Sequence, residues 1–170
     1  MFRCWSSKRS TGLTSLTVHG RSSKLVSTTR EATIYWLGND LLHQLTINDR
    51  YKLRFDLQAL DGIWYYAEYS RFTVSSKASN YTMQVSGYSG NAGDSLSHHN
   101  GMMFTTYDRD NDQFRRNCAL EFGGGFWYKA CGYCGVMYAN SGASQFMWAV
   151  SRSYTISILT LQSTRMWLTC

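Results

Sequence analysis

Two alternating runs joined by Asp61-Gly62 constrain this chain more than any other feature. Tyr51, Leu53, Phe55 and Leu57 alternate with Lys52, Arg54 and Asp56. An apolar period of two turns one face of a strand to a core and the other to water. Asp61-Gly62 separates this run from Ile63-Trp-Tyr-Tyr-Ala-Glu-Tyr69. Such a dipeptide between such runs predicts a β-hairpin in which both turn residues take positive φ. Alternation returns at Tyr81–Ser86, where Tyr81, Met83 and Val85 interleave with Thr82, Gln84 and Ser86, and in part at Tyr154–Gln162. No stretch sustains a 3.6-residue apolar period, so helices are expected to be few and short. From Gly87 to Gly142 the sequence is glycine-rich, aromatic and irregular, and long irregular stretches in compact domains are as a rule functional or held by an ion.

A length of 170 residues makes one domain. There is no apolar run of about 18 residues, so no membrane span is expected. The formal charge of +6 points toward nucleic acid until it is located. Residues 1–30 hold Arg3, Lys8, Arg9, Arg21, Lys24 and Arg30 and no acid, so the remaining 11 Lys+Arg balance all 11 Asp+Glu. A neutral body from residue 31 to 170 argues against a nucleic-acid partner. The Ser/Thr-rich basic segment 1–30 has the composition of a transit peptide or a disordered leader and lacks the apolar stretch of a secretory signal, although Leu13–Val18 is strand-like. A basic arm for phosphate groups is the sharper alternative; no aromatics interleave with its charges.

Asp108, Asp110 and Asp112 lie within five residues and repel one another unless a cation sits among them; hard oxygen donors at alternate positions suit Ca²⁺. An EF-hand is excluded, because its glycine and glutamate positions hold Gln113 and Ala119. Cys131-Gly-Tyr-Cys134 has the spacing of a thiol–disulfide oxidoreductase or of half a zinc site. The redox reading needs a helix starting at the first cysteine, and the surrounding glycines disfavour one. His98 and His99 would fall on opposite faces of an extended segment, a poor pair of zinc ligands. Asn80-Tyr-Thr82 is an N-glycosylation acceptor pattern. The body offers no acid–base pair, nucleophile–histidine–carboxylate set or phosphate loop.

The motifs Trp36-Leu-Gly-Asn-Asp40, Tyr51–Asp56, Gly87-Tyr-Ser-Gly-Asn-Ala-Gly-Asp-Ser-Leu96, His99-Asn-Gly-Met102, Asp108-Arg-Asp-Asn-Asp112, Asn117-Cys-Ala119 and Phe126-Trp-Tyr-Lys-Ala-Cys131 follow one another in order. This series resembles the fibrinogen C-terminal domain of ficolins, tenascins, angiopoietins and invertebrate lectins. The resemblance implies an α+β fold: a twisted, mostly antiparallel sheet, few short helices, and a long irregular region that binds calcium and ligand. It also implies that residues 31–170 are a partial domain lacking its first third.

In function the resemblance implies a secreted, non-enzymatic recognition module. It would bind acetylated glycans in an innate-immunity setting, or an extracellular protein in matrix or receptor-ligand fashion, with a homo-oligomer allowed. Its Ca²⁺ ligands would be the side chains of Asp110 and Asp112 and the carbonyls of Phe114 and Arg116. Cys118–Cys131 is the implied disulfide, and Cys134–Cys170 a second. The implied ligand pocket lies at Phe122, Ala130, Cys131, Gly132 and Trp148, with a cis peptide before Cys131. Phe126, Trp127 and Tyr133 would wall the pocket or belong to the core. Gly132 stands where the family often has histidine, and Phe122 where it often has tyrosine. His43, His98 and His99 are read as structural.

Overall fold

A computed structural model describes residues 25–29, 32–36, 38–48, 50–122, 124–131, 134–135, 146–152 and 155–169. Strands β1 (Leu25–Thr29) and β2 (Ala32–Trp36) form an antiparallel pair, so the boundary expected at residue 30 falls between two paired strands. Leu13–Val18 lies outside the described residues. Helix α1 (Asn39–Thr46) follows. Then come β3 (Lys52–Ala59), β4 (Trp64–Val74) and β5 (Met83–Gly90), helix α2 (Cys118–Phe122), and β6 (Cys134–Gly135), β7 (Phe146–Arg152) and β8 (Thr155–Thr169). Strands β3–β8 make one antiparallel sheet in the order β5-β4-β3-β8-β7-β6. The last strand thus inserts beside β3 and closes the sheet across more than a hundred residues of sequence.

The alternation in β3 is realised: Leu53, Phe55, Leu57 and Ala59 are buried while Lys52, Arg54, Asp56 and Gln58 are not. The hairpin stands where expected, but its turn differs. Only Gly62 has positive φ, at 85°. The Gly62 N–H reaches the Ala59 carbonyl at 2.9 Å, the Ala59 N–H reaches the Ile63 carbonyl at 2.9 Å, and the Asp61 carboxylate accepts the Ile63 N–H at 2.9 Å. The Asp61 side chain thus completes the loop without a left-handed φ of its own, and Gly62 alone takes the left-handed position.

Two strand limits also move. The strand expected at Tyr81–Ser86 is Met83–Gly90, because Asn80 and Tyr81 both take left-handed φ, 51° and 53°. The strand expected at Tyr154–Gln162 runs Thr155–Thr169. Both α-helices among the described residues are short, as expected, with 8 and 5 residues.

Helix α1 is sewn to the end of β4. The Thr46 hydroxyl donates to the Leu42 carbonyl at 2.7 Å and accepts the Val74 N–H at 3.0 Å. His43 Nδ1 pairs with the Val74 carbonyl at 2.8 Å, which makes His43 structural. The core then stacks the inner sheet face (Phe55, Leu57, Tyr69, Phe72, Met83, Leu161) against Leu96, Phe104, Phe126, Trp127 and Tyr128 from the irregular region. Trp127 meets Phe104 and Phe72 edge-on at 5.0 and 6.2 Å, a favoured aromatic geometry. The region expected to be irregular therefore supplies 7 of the 19 buried residues of the core cluster, although few of its described residues lie in regular elements.

Candidate functional site

The acidic loop is pinned before it is charged. The Asn111 amide donates to the Phe104 carbonyl at 2.7 Å, and the Asn111 N–H reaches the Thr105 hydroxyl at 3.1 Å. Thr106 and Arg109 exchange both backbone bonds, at 2.9 and 3.1 Å. The Thr106 hydroxyl donates to Asp108 at 2.7 Å, so Asp108 serves the turn. The other two carboxylates face a shared corner. Asp110 Oδ1 accepts the Asp112 N–H at 3.2 Å. Asp112 Oδ1 accepts the Phe114 N–H at 2.8 Å, and Asp112 Oδ2 accepts the Cys118 N–H at 2.9 Å.

Partial burial raises the Asp112 carboxyl above its ordinary value; its two backbone donors oppose the rise, and the Asp110 carboxylate adds to it. A carboxylate crowded by another is what a nearby cation relieves. Among the described residues no group of three or more His, Cys, Asp or Glu gathers, so a hard cation here would need backbone carbonyls to fill its shell. The Arg116 guanidinium is exposed and reaches away to Glu121 at 3.2 Å. Asp110 and Asp112 therefore offer two adjacent carboxylates at one corner of the loop, with the Arg116 charge directed away from them.

The expected Cys118–Cys131 disulfide is formed, with Cα atoms 5.4 Å apart. Because Cys131 is joined to Cys118, no Cys131–Cys134 dithiol is available, and the oxidoreductase reading falls. Of Cys134 only its backbone pairing with Trp148 is described; Cys170, Gly132 and Tyr133 lie outside the described residues. The Ala130–Cys131 peptide is trans, contrary to expectation, and Cys131 takes φ of 39°. Ala130 is exposed, Cys131 half-buried, and Phe122 half-buried and stacked on Tyr128 with centroids 6.4 Å apart. Phe122 ends the helix that Cys118 begins, and the disulfide ties Cys131 to the start of that helix, where the expected pocket would lie.

Trp148 does not border it. It is 0% exposed, packs on Phe55 at 5.3 Å, and donates its indole N–H to the Gly93 carbonyl at 2.9 Å. That bond satisfies the indole in the core, so Trp148 is a core residue, as are Phe126 and Trp127.

The acidic loop and the Ala130–Cys131 segment form one hydrogen-bonded unit. The Gln113 N–H donates to the Lys129 carbonyl at 2.7 Å, and the Lys129 N–H donates to His99 Nδ1 at 3.2 Å. Asn117 caps α2 through its side-chain oxygen, which accepts the Ala119 and Leu120 N–H groups at 2.8 and 3.1 Å, while its amide nitrogen holds the Thr106 carbonyl at 2.9 Å. His99 is 1% exposed. Burial, with His98 adjacent, lowers its pKa to about 3, so it is a neutral acceptor holding Lys129. Reading the sequence identified His99 as structural without this partner; nothing local in sequence joins positions 99, 113 and 129.

The family model described as the C-terminal globular domain of fibrinogen beta and gamma chains matches residues 8–168, beginning inside the segment expected to be a leader. Mouse tenascin is 47% identical over 113 residues, 65% of this chain and 5% of tenascin. Fibrinogen-like protein A of Apostichopus parvimensis is 44% identical over 69% of this chain and 44% of its own length. Human microfibril-associated glycoprotein 4 is 40% identical over 68% and 48%. The chain thus spans less than half the length of each of these relatives. The fibrinogen-like globe domain of human ANGPTL2 superposes with a TM-score of 0.69 at 32% identity, over 79% of this chain and 65% of that one. Lamprey fibrin D-dimer, complexed with the peptide Gly-His-Arg-Pro-amide, gives 0.62 at 26% identity over 80% and 50%. A family match over nearly the whole length, and a sheet and loop built as described, place this chain in the fibrinogen C-terminal globular domain family.

Proposed function

We propose that this protein is an extracellular, non-enzymatic recognition module that binds acetylated glycans at the surface bordered by Phe122, Ala130 and Cys131. Ca²⁺ held by Asp110 and Asp112, with the carbonyls of Phe114 and Arg116, orders that surface. The observation that carries the reading is the direct bond from the acidic loop to the ligand segment, Gln113 N–H to Lys129 carbonyl, backed by the Cys118–Cys131 disulfide. A cation on the loop would fix the position of Lys129, and through it Ala130 and Cys131. An acetyl group needs an apolar slot for its methyl and a donor for its carbonyl; the half-buried Phe122, backed by the core residue Tyr128, supplies the apolar wall. The test is capture on immobilised N-acetylglucosamine with Ca²⁺ and with EDTA. Retention that EDTA abolishes supports the proposal, and no retention under either condition ends the glycan reading.

A protein ligand is the second reading. It is favoured by the peptide bound to the lamprey relative and by three large apolar side chains exposed around the acidic loop, Tyr107, Phe114 and Leu120, at 41%, 42% and 65%. This reading expects no sugar retention and Ca²⁺-dependent capture of an extracellular protein or of a second copy of this polypeptide.

A further inference from the structure

Asn80-Tyr81-Thr82 is the sole Asn-x-Ser/Thr pattern in the 170 residues, and the recognition role leaves it unused. It closes the turn between β4 and β5. Lys77–Ser79 form one exposed 3₁₀ turn, and Asn80 caps it with left-handed φ. The middle residue of the pattern turns inward: the Tyr81 hydroxyl donates to Asp40 at 2.6 Å, and the Tyr81 carbonyl accepts the Trp127 indole N–H at 2.6 Å. Asn80 and Thr82 flank it, half-exposed. One Asn80 Nδ2 hydrogen is directed at Met103 Sδ, 3.2 Å away. A sulfur acceptor makes a weak bond, and Nδ2 carries a second hydrogen. An N-glycan replaces only one of the two, so the Met103 contact and the glycan are compatible.

We propose that Asn80 carries an N-linked glycan, an inference that rests on the extracellular reading above. The donor is an oligosaccharide on a lipid diphosphate. The bond from Asn80 Nδ2 to the first sugar carbon forms as that carbon's bond to the diphosphate oxygen breaks, and the Nδ2 proton leaves with the departing diphosphate.

A purely conformational role for Asn80 makes a different prediction. Asparagine is among the residues that best tolerate left-handed φ, and glycine tolerates it better still. Asn80→Gly therefore keeps the turn and removes the acceptor. The full-length protein is translated behind a cleavable signal sequence in the presence of microsomes. The protease-protected product is then compared before and after peptide-N-glycosidase digestion. The expected result is one enzyme-sensitive mobility shift in most protected molecules, lost completely in Asn80→Gly and in Thr82→Ala and kept in Thr82→Ser. Protected wild-type protein without the shift overturns the proposal. The fused signal separates the two readings: a native protein that never reaches the secretory pathway counts against the extracellular role, whereas a protected but unmodified product counts against Asn80 alone.

Discussion

Removing the Cys118–Cys131 disulfide with Cys118→Ala/Cys131→Ala tests whether that bond holds the site. The bridge spans 13 residues, and chain-entropy reasoning assigns a loop of this size about 3 kcal/mol of stabilisation through the unfolded state. For a domain of this length that corresponds to a fall in Tm of about 6–12 °C. Alanine is the right replacement at position 118, because Cys118 is fully buried and a serine hydroxyl there would lack a partner. Position 131 allows a finer test. Its φ of 39° costs a non-glycine residue about 1 kcal/mol or more, so Cys118→Ala/Cys131→Gly should recover about 1 kcal/mol of the loss. Urea unfolding followed by tryptophan fluorescence reads all three proteins, and the uncrosslinked variants should show slightly larger m-values as their unfolded states expand. A loss below about 1 kcal/mol for the double alanine variant would refute the reasoning, since the loop would then be held equally well by its hydrogen bonds.

Four further outcomes follow from single groups. His99 has its folded pKa depressed from 6.5 to about 3, so its contribution is complete above 6.5 and is lost as pH falls toward 3. The expected slope is up to about 1.4 kcal/mol per pH unit, and His99→Gln, which keeps an acceptor for the Lys129 N–H, should flatten urea midpoints between pH 7 and 5. Asp112 has its folded pKa raised; without a cation its contribution is present below its ordinary pKa and is lost as pH rises through the folded value. Ca²⁺ at about 100 times its dissociation constant should add about 2.7 kcal/mol, a gain that calorimetry should find shrinking in acid and absent in Asp112→Asn. At Gly90, with φ of 140°, an added Cβ would stand 2.3 Å from the Tyr66 carbonyl oxygen, so Gly90→Ala should cost about 2–3 kcal/mol. At Gly62, where an added Cβ meets nothing within 4 Å, alanine should cost only the left-handed penalty of about 1 kcal/mol, as thermal unfolding of the pair will show.

Strand β3 was legible because its two faces have opposite environments, and its alternation survives in the burial of Leu53, Phe55 and Leu57. The second half of β8 was not legible, for a reason visible on the outer sheet face. Arg165 lies over the Trp64 ring at 4.6 Å, Arg54 over Tyr66 at 4.5 Å, and the Trp167 indole donates to Asp56 at 2.8 Å. Asp56 also pairs with Arg54 at 2.8 Å, and Glu68 lies 3.6 Å from the same guanidinium. Charged and aromatic residues whose partners lie a hundred positions away leave no local apolar period to read. Strand β5 was misplaced for a related reason: Gly87 and Gly90 look like loop residues, yet both lie in β5, Gly90 paired with Ala67, where a side chain or carbonyl approaches too closely for a Cβ.

At the site, the Cys118–Cys131 pair was legible by resemblance, because the two cysteines themselves make the bond. The trans peptide before Cys131 and the burial of Trp148 were not, since peptide geometry and core membership depend on neighbours that a motif does not name. Trp148 fills the space above Phe55 because Gly93 offers its carbonyl there.

The bonds that unite the acidic loop with residues 129–131 also constrain how the proposed site can respond. Asp112 holds the Cys118 N–H, Cys118 is joined to Cys131, and Gln113 holds Lys129. Under the proposed function, a cation on Asp110 and Asp112 would act on the same short segment that the glycan would touch. Coupling between two ligands on one unit is reciprocal: if Ca²⁺ tightens glycan binding tenfold, the glycan must tighten Ca²⁺ tenfold, about 1.4 kcal/mol in each direction. Calcium titrations with and without saturating N-acetylglucosamine can therefore be checked against glycan titrations with and without calcium. Unequal factors would mean that the protein changes association state between experiments, and equal factors of one would mean that the loop stabilises the fold without reaching the ligand. Cys118→Ala/Cys131→Ala then discriminates between the two links, because coupling carried by the disulfide disappears in that variant, whereas coupling carried by the Gln113–Lys129 bond remains.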